Sequence, residues 1–245
     1  MENKEALLEK STTEDILTLV NSSNQYQITV ANKYAGGIIG NAQMNSDQNS
    51  LGLYISECYA SGIIGDGKDA AGNMGLILGR CKNDNDAYQV VIDSCVAYGL
   101  LVSKGQYTAG IVGDFDNALG HVTIQNCLAE PSFIYQMLYL NAAEALKENL
   151  DAQNYAHKNS NPIVGRAVAT ANDGEYITKN NIGSWAEYYT LYVDSVSLVF
   201  DLSDTEEGLV IYTLTQGLAE SRLGFDFEKV WKFTDGVVTP RWVTI

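Results

Sequence analysis

Apolar positions come in short bursts along most of this chain. Leu53-Tyr-Ile55, Val90-Val-Ile92 and Val122-Thr-Ile124 are three such bursts. Each is too short for a helix and rich in residues that suit a pleated surface, so each predicts a strand. A cysteine follows three residues after each, in Ser56-Glu-Cys-Tyr-Ala-Ser-Gly62, Asp93-Ser-Cys-Val-Ala-Tyr-Gly99 and Gln125-Asn-Cys-Leu-Ala-Glu-Pro131. A second pattern recurs between them. Lys33-Tyr-Ala-Gly-Gly-Ile-Ile-Gly40 matches Gln106-Tyr-Thr-Ala-Gly-Ile-Val-Gly113 without a gap. Ala71-Gly-Asn-Met-Gly-Leu-Ile-Leu-Gly79 is a lengthened copy, and Asn161-Pro-Ile-Val-Gly165 is a fainter one.

The repeating unit therefore reads as strand, Cys-x-Ala, short strand, a variable Asn/Asp/Gly loop, then Gly-apolar-apolar-Gly. A unit of this size cannot bury its own apolar face, whereas stacking one unit on the next can. The expected fold is all-β, a parallel β-helix (solenoid), with a β-sandwich on long loops as the alternative. In such a stack Cys58, Cys95 and Cys127 form an internal ladder of buried free thiols. The small Ala two residues later fits a tight corner. The recurring Gly sits where the chain bends too sharply for a side chain.

Outside the repeats the pattern changes. Residues 2–10 and 13–20 read as helix, because Ser11-Thr-Thr-Glu14 has capping-box spacing and Ile16, Leu17, Leu19 and Val20 follow it. Phe133–Asp151 also reads as helix, with Leu138, Ala142, Ala145, Leu146 and Leu150 on one face and no Pro or Gly. Ser195–Ser203 has strand period, Asp204–Gly208 reads as a turn, and Leu209–Thr215 reads as the returning strand. The expected organisation is one domain: an N-terminal helical cap over 1–25, β-helix coils over 26–190 with a helical insertion near 133–151, and a C-terminal hairpin and aromatic cap over 191–245. Trp231 and Trp242 are assigned to covering an end of the stack, where open strand edges invite aggregation. An exposed aromatic platform for sugars is the alternative.

Composition narrows the function. The chain has 245 residues with 30 Asp+Glu against 15 Lys+Arg, a formal net charge of −15. That balance argues against nucleic acid, which is bound through cations on phosphates, and against an anionic membrane surface. No apolar run is long enough to cross a bilayer as a helix. The start, Met1-Glu-Asn-Lys-Glu, has no signal-peptide pattern. This leaves an intracellular chain or a shortened start as alternatives.

Few residues suggest chemistry. Asp66 and Asp69, Asp84 and Asp86, and Asp114 and Asp116 form acidic pairs expected in loops once per repeat. Asp and Asn oxygens suit Ca²⁺, a hard cation, yet the same residues are ordinary turn formers and EF-hand spacing is absent. No other cofactor is expected. The four cysteines lack C-x-x-C spacing and the histidines are only His121 and His157, so a zinc site is not expected. After Gly65-Asp-Gly67-Lys68 stands Asp69, which would repel phosphate rather than help to cradle it. No nucleophile with a base, metal triad or phosphate loop is recognised, and no enzymatic activity is expected.

Ala-Gly-Gly-Ile-Ile-Gly40 and Thr-Ala-Gly-Ile-Val-Gly113, each tied to a Cys-x-Ala strand, resemble the GLUG-motif repeats of bacterial surface proteins and large adhesins. The resemblance covers residues 33–131 well and 161–185 faintly, and the stretch 130–160 departs from it. It implies a right-handed parallel β-helix and an extracellular or cell-surface location. The implied role is non-catalytic: adhesion, glycan binding or rigid spacing, within a larger chain, toward a carbohydrate or a host or surface protein. The contrasting expectation is a polysaccharide-processing β-helix enzyme, a lyase or glycosidase, acting through two facing carboxylates.

Overall fold

The computed structural model describes residues 9–10, 16–20, 23–24, 27–28, 34–44, 52–65, 73–83, 89–103, 107–118, 121–139, 160–161, 163–167, 176–183, 186–193, 196–201 and 214–243. The protein is mostly β, and its larger sheets run chiefly parallel. Each of those sheets takes strands from successive repeats.

One six-stranded sheet joins Ile16–Val20, Gly52–Ser56, Gln89–Asp93, His121–Gln125 and Tyr176–Lys179 in chain order, all parallel. The short Glu9–Lys10 strand pairs antiparallel with Ile16–Val20 at its edge. A nine-stranded sheet carries Tyr59–Ala60, Val96–Ser103, Leu128–Tyr139 and Ala186–Val193 in the same order. Two four-stranded sheets hold the glycine motif. Tyr34–Gly36, Asn73–Gly75, Thr108–Ala109 and Ser160–Asn161 form one. Ile39–Met44, Leu78–Asn83, Val112–Ala118 and Val164–Ala167 form the other.

The register explains why the repeats look alike. Leu53, Val90 and Val122 are partners, as are Ile55, Ile92 and Ile124, and Ala60 stands beside neither a larger nor a polar residue but beside Ala97 and then Ala129. All of these side chains lie in one buried cluster with Met74, Leu76, Ile77, Leu78, Ile111 and Phe115. Side-chain size is exchanged between repeats: Ala42, Cys81 and Phe115 share one register position.

The glycines mark backbone-to-backbone contact. A Cβ at Gly36 would lie 2.7 Å from the Gly79 nitrogen of the next repeat, and one at Gly75 would lie 2.8 Å from the Gly113 nitrogen. Real Cβ atoms do not come so close, so the bend between the two glycine-motif strands admits only hydrogen there.

Several elements differ from the sequence expectation. Residues 16–20 are a strand, not part of a helical cap. Leu17 and Leu19 stand opposite Leu53 and Ile55 in register, so pairing with the first cysteine repeat gives this segment's backbone its partners. The Ser11–Glu14 capping box lies outside the described residues. The helix expected near 133–151 is a strand as far as Tyr139, because residues 128–135 pair with Val96–Ser103 and residues 132–139 pair with Ala186–Val193. Residues 140–151 lie outside the described residues. Val196–Asp201 forms an antiparallel hairpin with the preceding Ala186–Val193, while the expected turn over 204–208 and residues 209–213 of the expected returning strand lie outside the described residues.

Residues 214–243 form a separate packing unit. A short helical segment leads into Gly224 at φ 69, and an antiparallel pair, Trp231–Thr234 with Val237–Pro240, turns at Asp235-Gly236. Phe225 stacks on Trp231 with ring centroids 5.1 Å apart. The sequence expectation put this segment over an end of the stack. Its apolar cluster instead includes Tyr59, Val96, Leu128 and Ile182, which occupy one register position of the nine-stranded sheet. The unit lies across four successive repeats, on the residue that follows each ladder position. Val238 N donates to Tyr98 Oη at 3.1 Å across the same contact.

Candidate functional site

The proposed acidic loops fare unevenly. Asp66, Asp69, Asp84 and Asp86 lie outside the described residues. Asp114 and Asp116 are not in a loop: both belong to the strand Val112–Ala118. Strand pairing sets Asp116 opposite Lys82 and Asp114 opposite Arg80 and Arg166. Phe115 between them enters the core, which is why a stretch that reads as a turn is held extended.

Asp114 is fully buried and belongs to a polar cluster assembled from three repeats. Asn73 Nδ2 donates to Asp114 Oδ2 at 2.7 Å. Arg80 Nε lies 4.0 Å from the same oxygen, and its guanidinium sits 4.6 Å from the centre of the Tyr34 ring. Asn73 Oδ1 is buried without a hydrogen-bond partner. A buried carboxylate already facing a guanidinium and an amide is a structural ion pair rather than an open cation site. Among the described residues, no group of three His, Cys, Asp or Glu side chains is placed to hold a metal ion.

The cysteine ladder is the most regular feature of the interior. Cys58, Cys95 and Cys127 are fully buried and free. Val96 N donates to Cys58 O and Leu128 N to Cys95 O, both at 2.9 Å, so each cysteine sits directly beside the next. Each thiol donates to the carbonyl two residues earlier, those of Ser56, Asp93 and Gln125. Burial pushes the Cys95 thiol well above its ordinary range. Cys81, in a different sheet, is pushed up to about 12, again mainly by burial. The thiolate is the nucleophilic form, so burial keeps Cys95 and Cys81 from acting as nucleophiles.

The ladder ends in a residue that the sequence reading missed. Asn181 takes the fourth position: its Oδ1 accepts from Cys127 N at 2.9 Å, and its Nδ2 donates to Ile124 O at 3.0 Å. The Cys95 and Cys127 thiols reach the matching carbonyls, of Ile55 and Ile92, more weakly. An amide thus does the work of a thiol, and a search for cysteine could not find it.

Before each of these positions the backbone turns left-handed, at Glu57, Ser94, Asn126 and Asn180 with φ of 52, 53, 56 and 56°. Only Asn among these adopts that conformation readily. Asp93 braces the turn by accepting from Ser94 Oγ, Gln125 Nε2 and Asn126 Nδ2. Glu57 is held above the usual carboxylate range by burial and by the nearby Asp226 and Asp93.

Trp231 is buried inside the C-terminal unit and offers no sugar platform. No helix among the described residues is long and apolar enough to cross a membrane. No family model, curated protein or solved structure matches this chain.

Proposed function

We propose that the four large sheets are the walls of a right-handed parallel β-helix, and that this helix is a rigid, non-catalytic segment of a bacterial secreted or surface protein. The observation that carries the reading is the column of equivalent side chains, one per repeat, that fills the interior at Ile55, Ile92 and Ile124 and at Cys58, Cys95 and Cys127. Parallel strands joined by crossovers in one sheet are right-handed in about 98% of cases, which supports the assigned hand. The resemblance of the glycine and cysteine motifs to GLUG repeats supports the surface role. The segment spaces or presents neighbouring parts of a larger chain, and its outer face offers weak, repeated contacts to carbohydrate or to a surface protein. It needs no cofactor for this.

A glycan array on the purified protein, with and without Ca²⁺, together with a polysaccharide-turnover assay, tests the reading. The expected result is no turnover and at most weak, multivalent binding. Turnover abolished by a single Asp→Asn replacement at Asp66, Asp69, Asp84, Asp86 or Asp116 would replace it with an enzyme.

A further inference from the structure

Three thiols stand in line, and the register fixes which of them can meet. Ser56, Asp93 and Gln125 are partners before the cysteines, and Tyr59, Val96 and Leu128 are partners after them. Neighbouring strands lie about 4.8 Å apart, so consecutive cysteines have Cα atoms at about that spacing. This lies within the range of about 4.4–6.8 Å that a disulfide bridges. Cys58 and Cys127 are two spacings apart, beyond the limit of about 7 Å. Cys81 has Ala42 and Phe115 as its neighbours in register and no cysteine. Asn181 closes the column after Cys127. Cys95 is thus the one cysteine with a thiol on both sides.

We propose that Cys95 is the shared half of a single inter-repeat disulfide, formed with Cys58 or with Cys127 but never with both, whenever the stack opens to a low-molecular-weight disulfide. One cysteine, as its thiolate, attacks the sulfur–sulfur bond of the oxidant and forms a mixed disulfide, releasing one small thiol. The adjacent cysteine loses its proton and attacks the protein sulfur of that mixed disulfide, releasing the second small thiol. Two protein thiols are oxidised by two electrons, the oxidant is reduced to two thiols, and the protons pass to the leaving thiolates. Opening is required on two grounds. The thiols are fully buried, and their Cβ atoms must close from the strand spacing to about 3.8 Å. Burial also keeps Cys95 protonated in the closed state. The product ties two successive repeats covalently and leaves the third thiol of the column free. The proposal rests on the register alone and is independent of any ligand.

The full chain is incubated with oxidised glutathione, with and without sub-denaturing urea, then alkylated and peptide-mapped by mass spectrometry. The expected result is no disulfide without urea and one per molecule with it, linking Cys58–Cys95 or Cys95–Cys127. Cys58→Ser should give only the second bond, Cys127→Ser only the first, and Cys95→Ser none. A Cys58–Cys127 bond, any bond to Cys81, a bond in Cys95→Ser, or no bond in the parent overturns the proposal. Should Cys95→Ser fail to fold, the map of the parent protein decides alone.

Discussion

Residues 52–129 and residues 214–243 each bury a continuous apolar cluster, by opposite routes. In the first, one short pattern is used three times, and the columns at its centre are made of like residues, Ile beside Ile, Ala beside Ala, Cys beside Cys. In the second, nothing repeats, and the core is built from large unlike residues around the Phe225–Trp231 stack. The two meet where the residue after each ladder position, Tyr59, Val96 and Leu128 after the cysteines and Ile182 after Asn181, leaves the first core for the second. A periodic segment thus produces two apolar surfaces, one inside and one outside, and the outer one needs a cover. The aperiodic unit supplies it.

The largest expected effect falls on the cover. Trp231→Ala removes the centre of the C-terminal core and should cost about 3–5 kcal/mol in urea unfolding. Because it loosens the unit from the stripe beneath, binding of a hydrophobic dye should rise under native conditions. A variant that unfolds like the parent and binds no dye would show that the unit is held by other contacts. Ile92→Ala, in the middle of the periodic core, should cost about 2–5 kcal/mol. Dye binding before the transition should stay at the parent level, since the outer stripe remains covered.

The contact between the two regions is sharpened by a smaller change. Tyr98→Phe removes the oxygen that accepts from Val238 N. Leaving that donor without its partner should cost about 1–3 kcal/mol. Amide exchange at Val238 should accelerate more than exchange at Val96, which is bonded within the repeats. Equal acceleration at both would mean that the two regions open as one.

The smallest effect is electrostatic. Burial, with Asp226 and Asp93 nearby, raises the Glu57 carboxyl above the ordinary range of a glutamate, about 4.5. A carboxyl with a raised folded pKa contributes stability that is fully present below the unfolded value and is lost as pH rises through the folded one. Glu57→Gln removes that loss. Its melting temperature should exceed the parent's at pH 7, and the difference should shrink toward zero below pH 4.5. A lower melting temperature at pH 7 would contradict the like-charge junction between the turn and the C-terminal unit.

What the sequence revealed follows the same division. The cysteine and glycine motifs were legible because stacking demands equivalent residues at equivalent positions, and their copies can be matched by eye. Ile16–Val20 was misread because its apolar spacing satisfies a helix as well as a strand; only its partner, Gly52–Ser56, decides. Residues 133–139 looked helical for lack of Gly or Pro, yet pairing with Ala186–Val193 along their whole length, and with Val96–Ser103 as far as Tyr135, overrides propensity. Asp114 looked like a turn residue because its partners, Asn73 and Arg80, come from the previous repeat. The site of the C-terminal unit had no sequence signal at all. Tyr59, Val96, Leu128 and Ile182 are unlike one another, and only their shared register makes them one surface.

The central claim, that the repeats stack in register with one cysteine each, is tested most directly by locating the sulfur atoms. Anomalous scattering at long wavelength from crystals of the reduced protein would do so. The account predicts the sulfurs of Cys58, Cys95 and Cys127 in a row inside the protein, with consecutive Cα atoms about 4.8 Å apart and Cys81 outside the row. Cysteines exposed to solvent, or consecutive Cα atoms farther apart than about 7 Å, would contradict it.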